Sequence, residues 1–170
     1  MIAASPPYVH EPQPGCQPVR ARASEFIHTS LTERLGVIVP RTSAYEGSFP
    51  CSPVGARQAR CAITAFARGS LSGRDLTDFE GAIGEVLANA VEHSGGSRIT
   101  VECYVDSGRV IAEIRDYGAG FLPPAAVQAP ARGALRGYGL FIVNSLVDEI
   151  EYLDNGRRLR LTKRAPDEPG

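Results

Sequence analysis

Apolar residues recur at three- and four-residue intervals along Leu76, Phe79, Ile83, Val86, Leu87, Ala90 and Val91, which predicts an amphipathic helix with one buried face. Beside that face, Glu85, Asn89 and His93 stand four residues apart. Each such step advances about 40° around the helix, so the three side chains form one slowly turning polar stripe. A carboxylate in such a stripe can take a proton or orient a water, and a neutral amide oxygen can join a hard cation such as Mg²⁺. The same spacing also describes a solvated helix face.

A different period follows. Residues 109–115 read Arg-Val-Ile-Ala-Glu-Ile-Arg, an alternating strand pattern that runs into Asp116-Tyr117-Gly118-Ala119-Gly120. A strand ending this way fixes a carboxylate at the sheet edge and follows it with backbone able to turn sharply and approach a ligand. Asp116 could accept a hydrogen bond from an exocyclic amine; an Asp-capped turn reads the same. Further on, Leu140, Val143, Leu146 and Val147 return to helical spacing, which puts Gly137, Tyr138 and Gly139 where the chain enters a helix. Unhindered backbone N–H groups at a helix start make an anion site suited to phosphate, although a plain helix-entry turn has the same glycines. Gly133, Arg132 and Arg136 are further candidates on the phosphate side.

In this order, the boxes ExxxNxxxH, DxGxG and GxGL resemble the nucleotide-binding fold shared by the gyrase, heat-shock chaperone, histidine kinase and mismatch-repair ATPases. They look most like its small bacterial branch, the anti-sigma factor serine/threonine protein kinases. Residues 49–61 are similar to that branch's opening strand, proline-containing turn and first helix. Residues 149–153 and 158–163, broken at Asp154-Asn155-Gly156, are similar to its closing hairpin. The resemblance covers residues 43–164. It implies ATP and Mg²⁺ as cofactors, with Glu85 as the general base acting on the attacking hydroxyl and Asn89 as the Mg²⁺ ligand. Asp116 would hold the adenine amine, Gly118 and Gly120 would let their loop pass over the nucleotide, and Gly137 and Gly139 would bring backbone N–H groups to the phosphates. Tyr138, Leu140 and His93 fall on cofactor-binding positions, His93 without an assigned role. One departure stands out: the family often has a Gly-Thr pair on its final strand, and here the pair is Gly156-Arg157. Thr162 lies too far along the strand to replace the missing hydroxyl. Residues 121–136, between the glycine boxes, read as a short lid or a rigid surface loop.

Composition narrows the setting. With 170 residues and 43% apolar content, the chain can bury a sizeable core in one domain. A net charge of −1 and a pI near 6.3 leave no electrostatic footprint for direct nucleic-acid binding. Five of the 18 basic residues fall between Arg157 and Arg164, which reads as a solvated strand. Cys16, Cys51, Cys61 and Cys103 lack CxxC spacing, so the expectation is reduced, partly buried thiols. No signal-peptide pattern and no long apolar run is visible, which predicts a cytoplasmic protein without a membrane segment. Residues 1–20 carry five of the 13 prolines and read as a disordered tail. A short helix is expected over residues 23–35, with His28 an ordinary surface residue. Together residues 1–42 form an N-terminal extension, and residues 165–170 a C-terminal tail.

The expected fold is α/β in the α+β sense: a two-layer sandwich of a mixed, largely antiparallel sheet with helices on one face. From residue 43 the order is strand, helix, helix, two strands, loop, helix, two strands. The function implied is an anti-sigma factor and serine/threonine kinase that phosphorylates an anti-sigma-factor antagonist and sequesters a sigma factor; homodimers are common in the resembled family, and the sequence leaves the oligomeric state open. The alternatives are a catalytically silent, nucleotide-sensing or nucleotide-independent binding regulator, and a kinase serving a two-component-like pathway.

Overall fold

The computed structural model describes residues 44–120 and 138–165. Strand β1 (Ala44–Pro50) leads into helices α1 (Pro53–Ala67) and α2 (Gly73–His93), then strands β2 (Arg98–Asp106) and β3 (Arg109–Asp116). Helix α3 (Gly139–Leu146) is followed by β4 (Glu149–Leu153) and β5 (Arg158–Arg164). The strands and helices thus come in the order expected. The N-terminal extension with its helix and His28, the lid, Gly133, Gly137 and residues 166–170 of the C-terminal tail lie outside the described residues.

Local chemistry explains where the elements begin and turn. Ser52 caps α1, its Oγ accepting the Gly55 N–H at 3.2 Å, and Pro53 occupies the first helical position. Such a cap is worth about 1 kcal/mol. The β4–β5 turn is made by Asp154, Asn155 and Gly156, all in the left-handed region, as the residue types predict. In α2 the buried residues are Phe79, Ala82, Ile83, Val86, Leu87 and Ala90, so the apolar stripe of the sequence is the buried face.

The strands form one sheet in the order β1-β2-β3-β5-β4, and every pairing is antiparallel. Among the described residues the parallel pair that a mixed sheet would contain is missing, for a topological reason. β4 runs parallel to β3, but β5 inserts between them and is antiparallel to both. One face of the sheet carries Ile99, Val101 and Cys103 from β2, Val110, Ala112 and Ile114 from β3, and Leu159 and Leu161 from β5, all buried. Against them pack Ile63 of α1 and Phe79, Ile83 and Leu87 of α2, each contributing about 1.5–3 kcal/mol by leaving water. Helix α3 packs on α2.

The other face is polar but not simply wet. Glu113 is only 5% exposed and accepts hydrogen bonds from Tyr104 Oη at 3.1 Å, Arg160 Nε at 2.9 Å and Arg158 Nη1 at 3.3 Å. A carboxylate so buried needs paired donors. The expectation that the basic run 157–164 is a solvated strand is therefore corrected: Arg158 and Arg160 are engaged by Glu113, and Lys163 is itself buried. Of the cysteines, Cys51 is a half-buried and Cys103 a buried free thiol, as expected for these two, while Cys16 lies outside the described residues.

Candidate functional site

At one end of the sheet, between it and α2, lies a cleft of about 390 Å³. Val86 and Ala90 of α2 face Ile114 of β3 and Leu159 of β5 across it, forming an apolar slot. Asn89, His93 and Asp116 supply polar groups at its margin, and Gly120, Gly139 and Leu140 complete the wall. A narrow apolar space with a few fixed polar groups suits a flat heterocycle carrying a polar tail.

Asp116 is held from several sides. Its Oδ1 accepts the Gly118 N–H at 2.8 Å, and its own N–H donates to the Arg157 carbonyl at 2.9 Å. The loop after it is clamped to the end of α2. A methyl group at Gly118 would lie 1.8 Å from the Ser94 carbonyl oxygen, which also accepts the Ala119 N–H at 3.3 Å. Ser94 Oγ accepts the Gly96 N–H at 3.1 Å and lies 3.5 Å from Cys51 Sγ. Gly120 takes φ +77°, and a methyl there would lie 2.5 Å from the Asn155 carbonyl oxygen. Both glycines are thus required by close backbone approach. Sequence reasoning missed Ser94 and Cys51 as supports of this loop. A serine directly after a helix and before Gly95-Gly96 was the available signal.

Glu85 and Asn89 meet at the start of α3. A methyl group at Gly139 would lie 3.2 Å from Glu85 Oε2 and 3.3 Å from Asn89 Nδ2. The backbone of α3 therefore begins directly over the heads of both side chains. Among the described residues that helix end has no side-chain cap, and helix-start N–H groups of this kind suit an anion. Leu140 faces the cleft, and Tyr138 stands just before the helix, 40% exposed. His93 is at the cleft margin but largely exposed, its Nε2 3.8 Å from Glu92 Oε2. Of the residues named from sequence, Asn89, His93, Asp116, Gly120, Gly139 and Leu140 share the cleft, and Glu85 stands beside it against Gly139.

Tyr117 turns to the opposite face of the sheet. Its hydroxyl is 3.4 Å from Thr100 Oγ1, and its ring lies between Arg98 at 4.4 Å and Arg115 at 5.3 Å. The Thr100 hydrogen bond, aided by both guanidinium charges, holds the phenol below its ordinary range.

Residues 49–163 match the family model of the histidine kinase-like ATPase domain. The chain belongs to this family. A comparison with curated proteins finds no match. Histidine kinase-like ATPase domains bind ATP, usually with Mg²⁺, and the residues present fit both. The apolar slot ending at Asp116 fits the base, and the uncapped start of α3 fits phosphates. Among the described residues no group of three or more His, Cys, Asp or Glu side chains could cage a metal. Mg²⁺ would fit here in its usual manner, held by few protein oxygens together with phosphate and water, and the Asn89 carboxamide near Gly139 would offer one such oxygen. The stem of Arg157 packs against Gly120, with Cγ 2.9 Å from a methyl built there, while Thr162 lies buried on the sheet's other face. Among the described residues no helix is long and apolar enough to cross a membrane.

Proposed function

We propose that this histidine kinase-like ATPase domain is a serine/threonine protein kinase and anti-sigma factor. In this reading it phosphorylates an anti-sigma-factor antagonist and otherwise holds a sigma factor inactive, acting in the cytoplasm. The observation that carries the kinase reading is the meeting of Glu85 and Asn89 beneath Gly139. It brings a base, an amide oxygen and helix-start N–H groups within one small volume. ATP bound in the cleft would supply the phosphoryl group, with Mg²⁺ neutralising its charge. Asp116 would accept the hydrogen bond of the base's exocyclic amine, its carboxylate already oriented by Gly118. The N–H groups at the start of α3 would receive the phosphate oxygens, and Glu85 would take the proton of the substrate serine or threonine hydroxyl. Positioning and charge stabilisation of this kind account for most of phosphoryl-transfer catalysis.

A second reading, a nucleotide-sensing binder without turnover, is favoured by Arg157 standing where the family threonine would support adenine. The two readings separate on Glu85→Gln and Asn89→Ala. Under the kinase reading, Glu85→Gln abolishes transfer to the antagonist while Mg-ATP still binds in calorimetry, and Asn89→Ala loses Mg-dependent binding. Wild-type protein that binds Mg-ATP but transfers nothing to a cognate antagonist would leave the second reading standing.

A further inference from the structure

Lys163 is a buried cation that the nucleotide reading does not use. It lies on the helix side of β5, opposite Val110 in the register, and is 9% exposed. Its ammonium donates a hydrogen bond to the carbonyl of Leu146, the last residue of α3, at 3.1 Å. It also faces Asp75 Oδ1 at 3.4 Å and Asp78 Oδ2 at 3.8 Å, both near the start of α2. A lysine this deep is retained only when paired, and a cation suits the negative, carbonyl-bearing end of a helix. One ammonium thus joins β5, α2 and the end of α3.

We propose that Lys163 is a positioning residue that sets where α3 begins relative to Glu85 and Asn89; the inference rests on the nucleotide reading above. The two ends of α3 have different supports. At its end, Lys163 holds the Leu146 carbonyl, and Leu146 Cδ1 lies 3.2 Å from where a methyl on Gly81 would stand. The following turn is tied down as well: the Asp148 N–H donates to the Thr162 carbonyl at 2.9 Å, and Asp148 Oδ2 accepts the Arg164 N–H at 2.7 Å. At its start, a methyl on Gly139 would stand 3.2 Å from Glu85 Oε2 and 3.3 Å from Asn89 Nδ2. A helix of eight residues is a stiff rod of about 12 Å, so displacement of the anchored end is carried to Gly139. Lys163 acts on the phosphate side of the cleft through this rod, without touching the ligand.

The test compares full-length Lys163→Met, Lys163→Arg and the pair Asp75→Asn with Asp78→Asn. Mg-ATP affinity is read by calorimetry, and α3 opening by amide exchange over residues 140–146. Lys163→Met is expected to weaken Mg-ATP binding about fourfold, the scale of a displacement of a few tenths of an ångström at a positioned site, and to speed exchange in α3. Lys163→Arg, which still donates to the Leu146 carbonyl, restores both. The paired Asn variants lower the melting temperature yet leave affinity near wild type, a separation that general destabilisation would not give. If Lys163→Met does not fold, Lys163→Gln, too short to reach Leu146, replaces it. Wild-type affinity in the Met variant overturns the positioning role and leaves the nucleotide reading intact. Should the wild type itself fail to bind Mg-ATP, the nucleotide reading falls, and exchange in α3 unchanged by the Met substitution overturns the anchor independently.

Discussion

The substitution Gly139→Ala isolates the nucleotide site from the stability of the fold, because the two should move in opposite directions. The new methyl would lie 3.2 Å from Glu85 Oε2, 3.3 Å from Asn89 Nδ2 and 3.6 Å from Asn89 Oδ1. Comfortable contacts of a carbon with such atoms begin near 3.5 Å, so two of the three must give by about 0.3 Å. Both side chains are held on a packed helix, and the displacement falls on their functional ends. With about a hundredfold cost for a misplacement of 1 Å, a shift of this size predicts about a fourfold loss of Mg-nucleotide affinity, or about 0.8 kcal/mol. Folding gains instead, since Gly139 is the first residue of α3 and alanine is favoured over glycine in a helix by up to about 1 kcal/mol. The assay pairs calorimetry with Mg-ADP and thermal unfolding without nucleotide. Undiminished affinity would refute the placement of Glu85 and Asn89 under α3, and affinity lost together with a lowered melting temperature would refute the separation of site from fold.

Other outcomes follow from the same geometry. Phe79→Ala empties a fully buried position between α2 and the sheet and should cost about 3–5 kcal/mol in denaturant unfolding. Gly118→Ala drives a methyl into the Ser94 carbonyl; the loop holding Asp116 must move, with about 1–3 kcal/mol lost in thermal unfolding and base recognition lost in calorimetry. Burial pushes the Cys103 thiol far above its usual range, with Glu102 adding to the shift. At neutral pH an alkylating reagent should therefore modify half-buried Cys51 readily and Cys103 only through opening of the sheet, as peptide mapping would reveal.

Much of the fold was legible because its signals are local. The 3.6-residue period of α2, the alternation of β3 and the turn residues at Asp154-Asn155-Gly156 each encode an element within a short window. Two features were not legible. The basic run 157–164 looks solvated until the register sets Arg160 opposite Glu113 of β3, and nothing in the sequence near either residue announces the other. The all-antiparallel sheet likewise depends on β5 inserting between β3 and β4, a choice made by packing after the strands exist.

The candidate site divides in the same way. Residue order alone picks out the groups able to do chemistry: Glu85, Asn89 and His93 share a stripe because four-residue steps overshoot one helical turn by only about 40°. It also puts Asp116 at a strand end, and Gly139 at a helix start. Which of them meet is set by the packing of the elements. Packing of α3 on α2 brings Gly139 over Glu85 and Asn89, and His93, one turn further along, is left at the exposed margin. It also revealed the supports of the Asp116 loop in Ser94 and Cys51, and the anchor of α3 in Lys163. Periodicity specifies direction around one element, whereas a site between elements depends on contacts between residues far apart in the chain, and those exist only once the apolar faces have been buried together.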